Sequence, residues 1–444
     1  MKILIIGAGD VGFQLTKRLS IDHDITLIES DPQKAKRASE QLDAFVLEGH
    51  GGSYRLLREA GIGAADIVAA MTNNDELNIL ICQMARRAGK ATTIARVRNH
   101  EYTMPDCLIP QSEVADLIIH PEKETAAAVM RLIRQSAATD VIELVDGHLQ
   151  LIGIRLDDAS PVLRIPLKDL GPRFNNLHMT IVAINRRDHT IIPRGDDILA
   201  AGDQVFFLCL PEYQAEVITF TGKTKTQIKN VMILGGGLIG QFIARDIGKD
   251  IHVKIVESNE DKSREIADLL PRSLIIHGDG TDIDLLAVEG LMDMDAFISV
   301  TGSDETNIIA TLVARHLRVP RTIALVNTVE YMPVTTTIGM DAVVSKQLLT
   351  VNAVQRYIRQ HQIASIAAIP GVDAQIIEFI AGDRSKITRK PLRDIGFPEK
   401  AMAGAIVHDG RAEIIRGDTH IQPGDKVAVF MLPQALKKVE KLFK

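Results

Sequence analysis

The chain of 444 residues reads as an α/β protein made of two tandem repeats, each a doubly wound parallel sheet followed by a small α+β domain. Three observations predict this. Two glycine loops follow short apolar runs, in "ILIIGAGDVGFQL" near the start and in "VMILGGGLIGQFI" from Val231. Sequence similarity then runs from each loop to the end of its half, the mark of an internal duplication. Within each half, short buried runs separated by amphipathic segments give way to alternating, turn-rich ones.

The repeat is traced residue by residue. Gly7, Gly9 and Gly12 match Gly235, Gly237 and Gly240 at an offset of 228, and "LIES" ending at Ser30 matches "IVES" ending at Ser258. "TNNDELN" from Thr72 matches "TGSDETN" from Thr301 at 229, and "VMRLIRQ" from Val129 matches "VQRYIRQ" from Val354 at 225. Beyond these, "IPLKDLG" from Ile165 pairs with "KPLRDIG" from Lys390, and Gly195 and Gly202 pair with Gly417 and Gly424. Drifting offsets mean small loop insertions between homologous units.

The elements follow in order. "KILII", "DITLIE", "AFVL", "DIVAAM" and "TTIARV" read as buried parallel strands, and amphipathic stretches such as 75–88 as the helices between them. After "ADLIIH", a helix from Pro121 to Gln135 leads into "VIELVDGHLQLIGIRL", "TIVAINRRDHTIIP" and "DQVFFLCL". These predict antiparallel strands with a closing helix near 211–219. A polar stretch, "TGKTKTQIKN", links the halves. The expected domains are 1–120 and 228–345 for the doubly wound sheets, and 138–222 and 362–444 for the small α+β domains.

Composition limits the function classes. With 46% hydrophobic and 24% charged residues each unit can bury an ordinary core. Apolar runs such as "VFFLCL" fall far short of the ~20 residues that cross a bilayer, and the N-terminus has no signal-peptide pattern; a cytoplasmic location is expected. Cys82, Cys107 and Cys209 lie far apart with no Cys/His cluster, so neither zinc nor a disulfide framework is expected, and they read as buried fillers. A net charge of −6 with mixed signs leaves no basic footprint for nucleic acid.

A G-x-G-x-x-G turn between strand and helix lets the backbone approach a pyrophosphate and places it at the helix N-terminus, the Rossmann arrangement. The candidate residues are Gly7, Ala8, Gly9, Asp10, Val11 and Gly12 in the first half, and Gly235, Gly236, Gly237, Leu238, Ile239 and Gly240 in the second. A lone loop of this kind serves equally as a tight turn that binds nothing. Context strengthens it: Glu29 closes the second strand 17 residues after Gly12, where its carboxylate would accept both ribose hydroxyls, which favours NAD(H) or an unphosphorylated adenosine over NADP(H). Glu257 occupies the same place in the second half.

The two sites are nevertheless unequal. "EGHG" presents Gly49 and His50 where "HGDG" presents Asp279. After the fifth strand, Arg96 and Arg98 stand where the second half is read to have Ala324 and Val326. An arginine at a strand's carboxyl end reaches a phosphate, or is simply a solvated or interface residue. The imbalance predicts a tighter anionic ligand in the first half. Thr72 and Asn73 lie at the switch-point edge, where they would touch the second ribose, while Asn73 or Asn74 also fits a helix N-cap. His50, His120, His277 and His316 read as surface or core histidines. Asp196 and Asp197 would serve as metal ligands or, more commonly, as turn residues. No lysine, histidine or tyrosine is placed alike in both halves as a general acid, which argues against hydride transfer and against any catalytic residue. A duplicated binding domain with a duplicated small partner instead suits conversion of nucleotide occupancy into domain movement.

The order "GAGDVG", "LIES", "EGHGG", "TNNDELN", "IARVRN" and "HPE", followed by a strand-rich domain, resembles the regulator-of-potassium-conductance (RCK/KTN) module over essentially the whole chain. Two such modules without a pore resemble the cytosolic subunits of Trk-type bacterial and archaeal potassium uptake systems. The resemblance implies NAD(H) and ATP or ADP as ligands. It also implies a gating ring, a homotetramer, held at the inner face of the cell membrane by a separate Trk-type potassium pore subunit. It places the dinucleotide site on Gly7 to Val11, Glu29, Thr72, Asn73 and Arg96, and on 235–240 with Glu257. His50 in place of the usual aspartate, and the missing arginine of the second module, leave open whether both sites take one ligand. An NAD-dependent oxidoreductase and the gating ring of an efflux channel are the alternatives. The segments 121–135 and 346–360, which share "RxIRQ", are candidate assembly or crossover surfaces, or pack back on their own sheets.

Overall fold

The computed structural model describes residues 1–104, 107, 110–134, 138–144, 147–173, 178–187, 189–223, 228–328, 331–338, 340–360, 366–368, 372–383, 385–408 and 411–443. Its first strand shows why the fold begins where it does. In β1 (Lys2–Ile6) only Lys2 is exposed, as expected of a parallel strand covered by helices on both faces. With β2 (Asp24–Glu29), β3 (Phe45–Glu48), β4 (Ile67–Ala70), β5 (Thr92–Arg96) and β6 (Leu117–Ile119) it forms a parallel sheet of order β3-β2-β1-β4-β5-β6. The order reverses between β1 and β4, and a crevice opens there at the carboxyl ends. The helix Asp75–Ala88, on the boundaries expected, buries Ile81, Cys82 and Ala85 against Leu4, Ile6 and Ala95.

A small antiparallel sheet follows, of β7 (Asp140–Leu144), β8 (Leu149–Arg155), β9 (Met179–Arg186), β10 (His189–Ile191) and β11 (Gln204–Cys209), in the order β10-β9-β11-β8-β7. The helix Gln214–Phe220 closes it. The second half repeats the plan. β12 (Asn230–Leu234), β13 (His252–Glu257), β14 (Ser273–His277), β15 (Ala296–Ser299), β16 (Arg321–Leu325) and β17 (Ala342–Val344) run parallel in the order β14-β13-β12-β15-β16-β17. β18 (Ile366–Ala368), β19 (Gln375–Ile380), β20 (Ala401–His408), β21 (Arg411–Ile414) and β22 (Lys426–Met431) are ordered β18-β19-β22-β20-β21. Even the bulge is duplicated: Val182 in β9 and Gly404 in β20 are each skipped in the pairing with β11 and β22.

By packing, the chain divides into two compact units: Met1–Thr125 with Ser345–Tyr357, and Ala126–Val344 with Ile358–Lys444. Two helices, Pro121–Arg134 and Lys346–Gln360, each contribute residues to both. Gln135, the expected end of the first of these, residues 224–227 of the linking stretch, and the side chains of Arg356, Arg359 and Gln360 lie outside the described residues.

Inside the larger unit the two small sheets share a core: Leu151, Phe206 and Leu208 pack with Ile376, Ala405 and Phe430. The first small sheet also meets the second parallel sheet through charge. Asp140 Oδ2 accepts from Thr139 Oγ1 at 2.8 Å and Gln204 Nε2 at 2.6 Å, and Arg321 donates to the Ala138 carbonyl. Burial pushes the Asp140 carboxyl up to about 6 against these hydrogen bonds and against Arg321 and Arg155, while burial lowers Arg321 to about 10 against Asp341 and Asp140.

Candidate nucleotide sites

The first glycine loop is built by necessity of backbone shape. Gly7 has φ of 100°, and a Cβ on Gly12 would lie 1.8 Å from the Gly7 carbonyl oxygen, so the helix Asp10–Leu19 rests directly on the turn. Gly9 faces open space, with nothing within 4 Å of a Cβ, and caps that helix without a side chain. The N–H groups of the first turn are therefore free for an anion. Glu29 is pinned beneath the loop: Oε2 accepts from Ala8 N at 2.5 Å, and Oε1 from Asp31 N at 2.9 Å. Four lone-pair positions on a carboxylate leave acceptor capacity for ribose hydroxyls.

The opposite wall depends on Asn78, fully buried in the helix Asp75–Ala88. Its Oδ1 accepts from Thr72 N at 3.0 Å and Thr72 Oγ1 at 2.7 Å, and its Nδ2 donates to the carbonyls of Thr72 at 3.0 Å and Arg96 at 2.8 Å. The ends of β4 and β5 are thereby tied together. Arg96 is 7% exposed; its Nη1 donates to Asn73 Oδ1 at 2.9 Å, and its Nε has no hydrogen-bond partner among the described residues. Burial holds its pKa below the usual arginine value, with Glu122 the main opposing charge. Glu122 in turn lies 3.6 Å from both Arg98 Nε and Lys346 Nζ, so the helix that follows the second parallel sheet supplies a cation to the first site. Asn74, not Asn73, caps the helix, accepting from Leu77 N at 2.6 Å.

A buried guanidinium with an orphaned N–H, a glycine facing open space and a carboxylate with spare acceptors fit the phosphates and ribose of a nucleotide. Gly7 to Gly12 and Glu29 are joined in one assembly, and Thr72, Asn73 and Arg96 in another at the switch-point edge. The Gly49 N–H donates to the Glu29 carbonyl at 2.8 Å. His50 is exposed, and its Nδ1 accepts from Gly52 N at 3.2 Å. His277 and His316 are exposed as well, while His120 is buried.

The second site repeats this frame. Gly235 has φ of 106°, and Glu257 accepts from Gly236 N and Asn259 N, each at 3.0 Å. Asn307 ties Thr301 to the Leu325 carbonyl as Asn78 ties Thr72 to that of Arg96. That bond fixes the register and corrects the sequence alignment: Leu325 and Asn327, rather than Ala324 and Val326, stand opposite Arg96 and Arg98. Asn327 N reaches Asp304 as Arg98 N reaches Asp75. Both replacements are uncharged, so the difference between the strand ends stands. Asp279 is exposed in a turn, accepting from Thr281 N at 2.9 Å and Thr281 Oγ1 at 2.8 Å. Asp196 and Asp197 likewise serve turns and an exposed pair with Lys168.

Sequence reasoning missed Asn78 and Asn307, Glu122, Lys346 and Lys262. The asparagines carried a signal, since the same helix-interior asparagine, a poor helix former, ends both "DELN" and "DETN". Glu122 and Lys346 carried none, lying in different halves.

Fold and sites together define a tandem protein of Rossmann-type domains, each with a small antiparallel partner. The TrkA-N domain model matches residues 3–121 and 231–346, and the TrkA-C domain model matches 151–222 and 376–444. The chain belongs to the TrkA family, whose domains are regulatory rather than catalytic. It is 32% identical over 452 residues to the Trk system potassium uptake protein TrkA of Azorhizobium caulinodans, covering 100% of this chain and 99% of that one. It is 34% identical over 459 residues to TrkA homolog 2 of Methanosarcina mazei, covering 100% of each. Among solved structures, the GsuK RCK domain aligns with a TM-score of 0.62 at 20% identity, over 100% of this chain and 94% of that one. The GsuK channel bound to NAD aligns with a TM-score of 0.63 at 18% identity, over 100% and 78%. These structural likenesses concern the fold.

Proposed function

We propose that the chain is the cytosolic regulatory subunit of a Trk-type potassium uptake system, binding NAD(H), ATP or ADP and controlling a separate membrane pore subunit. Full-length likeness to Trk system potassium uptake proteins supports the system. GsuK structures described as bound to NAD and to ADP support the ligand class. The observation that carries the reading is the first site, where a glycine loop, a pinned Glu29 and the half-satisfied Arg96 face one crevice end.

In this reading Glu29 accepts the adenosine ribose hydroxyls, the helix Asp10–Leu19 and Arg96 meet the phosphates, and Thr72 and Asn73 border the second ribose. A bound phosphate adds negative charge beside Arg96 and competes with Glu122 for it. The Glu122–Lys346 pair then passes occupancy to the helix Lys346–Gln360. The chain assembles as a homotetrameric ring and is held at the cytoplasmic face through its pore partner. Among the described residues no helix is long and apolar enough to cross a membrane.

The test is an equilibrium titration with NADH by ligand fluorescence, with absorbance followed for oxidation and competition by NAD+, ATP and ADP. Saturable binding without consumption is expected; steady NADH oxidation with a small acceptor overturns the reading in favour of an oxidoreductase. Glu29→Ala and Arg96→Ala should each weaken binding to the first module, and Glu257→Ala should leave it nearly untouched. Equal losses from all three would sink the two-site reading. Co-purification with the pore subunit encoded in the same organism, and the mass of the purified assembly, test partner and ring.

A further inference from the structure

The two ribose-reading carboxylates differ in what already occupies them. Glu257 Oε2 accepts from Gly236 N at 3.0 Å and from Lys262 Nζ at 2.8 Å. Among the described residues, Glu29 Oε2 accepts from Ala8 N and no lysine. The lysine itself is duplicated, since Lys34 stands five residues after Glu29 as Lys262 does after Glu257, yet Lys34 Nζ lies 3.9 Å from Asp31.

The helix cap decides between these outcomes. In the first module the cap is Asp31, whose Oδ1 accepts from Gln33 N and Lys34 N while the carboxylate attracts Lys34. In the second it is Asn259, whose Oδ1 accepts from Lys262 N but carries no charge. The ammonium of Lys262 therefore turns to Glu257. The neighbouring strand adds to the contrast: the register partner of Glu29 is Glu48, and that of Glu257 is His277, whose Nε2 lies 3.2 Å from the Ser258 carbonyl. The first ribose end thus carries Glu29, Asp31 and Glu48, with Lys34 drawn to Asp31, and the second carries Glu257, Lys262 and His277.

We propose that the second module takes a nucleotide phosphorylated on its adenosine ribose at the 2′ position, with Lys262 as the specificity-determining residue, while the first takes the same nucleotide with free hydroxyls. The inference rests on the nucleotide-binding reading above and divides the ligand class between its two sites. A 2′-phosphate in the first module meets three carboxylates and a lysine already engaged. In the second it meets an ammonium that, among the described residues, donates only to Glu257 and has two further donors, and a carboxylate already ion-paired with that ammonium. The conventional exclusion of a 2′-phosphate by an acidic residue at this strand end therefore fails where the residue is already ion-paired.

The experiment is a fluorescence titration of the full chain with NADPH and with NADH, for wild type, Lys262→Gln, Asn259→Asp and Asp31→Asn, each checked by thermal melting. Lys262→Gln should weaken NADPH about tenfold, the scale of one charge-assisted hydrogen bond, and leave NADH at the first site unchanged. Asn259→Asp, which keeps the helix capped, should move NADPH in the same direction by drawing Lys262 away. Asp31→Asn should weaken NADH at the first site by freeing Lys34 to pair with Glu29. NADPH binding that ignores Lys262→Gln, or NADH binding with no NADPH binding, overturns the inference and leaves the sensor reading standing. No binding of either dinucleotide overturns both.

Discussion

Asn78 shows how much of a site one side chain can hold. All of its amide hydrogen-bonding atoms are engaged in joining Thr72 to Arg96. Asn78→Ala should therefore lower the stability of the first parallel domain by about 1–3 kcal/mol, the range for stranding buried polar groups, as read by denaturant unfolding. It should also weaken NADH, because Arg96 loses its register. The cysteines make a separate residue-scale prediction. Burial pushes the thiols of Cys82 and Cys209 up to about 12, so the native protein treated with a thiol reagent near neutral pH should label first at Cys107, as mass spectrometry would show. The strand-end positions of Glu29 and Glu257 were legible from spacing, because a strand end is a fixed distance from the glycine turn. Their unlike environments were not, because the cause is a single cap, Asp31 against Asn259, acting through a lysine common to both.

At the scale of elements the strands of both parallel sheets were legible, since burial on two faces demands continuous apolar runs. β11 carried a further hint: "QVFFLC" is buried at every position, so something had to cover both faces of that strand. The closing helix covers Val205, Phe207 and Cys209, and the other small sheet covers Phe206 and Leu208; no local pattern names that second partner so far along the chain. Gly404 lies at that meeting, where a Cβ would come within 2.8 Å of Phe430 and 2.9 Å of Leu208. Gly404→Val should therefore destabilise the paired sheets by about 1–3 kcal/mol, the usual penalty of overpacking. Thermal unfolding would detect it.

For the whole molecule, the joint between the first small sheet and the second parallel sheet links stability to acidity. Asp140 has a folded pKa raised from 3.8 to about 6, so its favourable contribution is complete below the unfolded value and is lost as pH rises through about 6. Thr139 and Gln204 face this carboxylate, as do Arg155 and Arg321, with Asp341 acting on both arginines and Arg315 on Arg155. The unfolding midpoint of the wild type should accordingly fall, relative to Asp140→Asn, between about pH 4 and pH 6 and stay level above that; parallel profiles would assign the pH response elsewhere. The tandem plan was visible in the repeat, but the membership of Ser345–Tyr357 in the unit of the first parallel sheet was not, because an amphipathic helix does not declare which sheet it will cover.

That shared helix bears on how the protein is made. A ribosome releases the first parallel domain long before it reaches Tyr357, yet the compact unit to which that domain belongs includes the stretch Ser345–Tyr357. A domain that emerges before the second half is thus completed only after most of that half has been made. During translation its surface for that helix stands open to chaperones and to neighbouring nascent chains, and a chain that stalls in the second half leaves behind a first domain that folds without its final support.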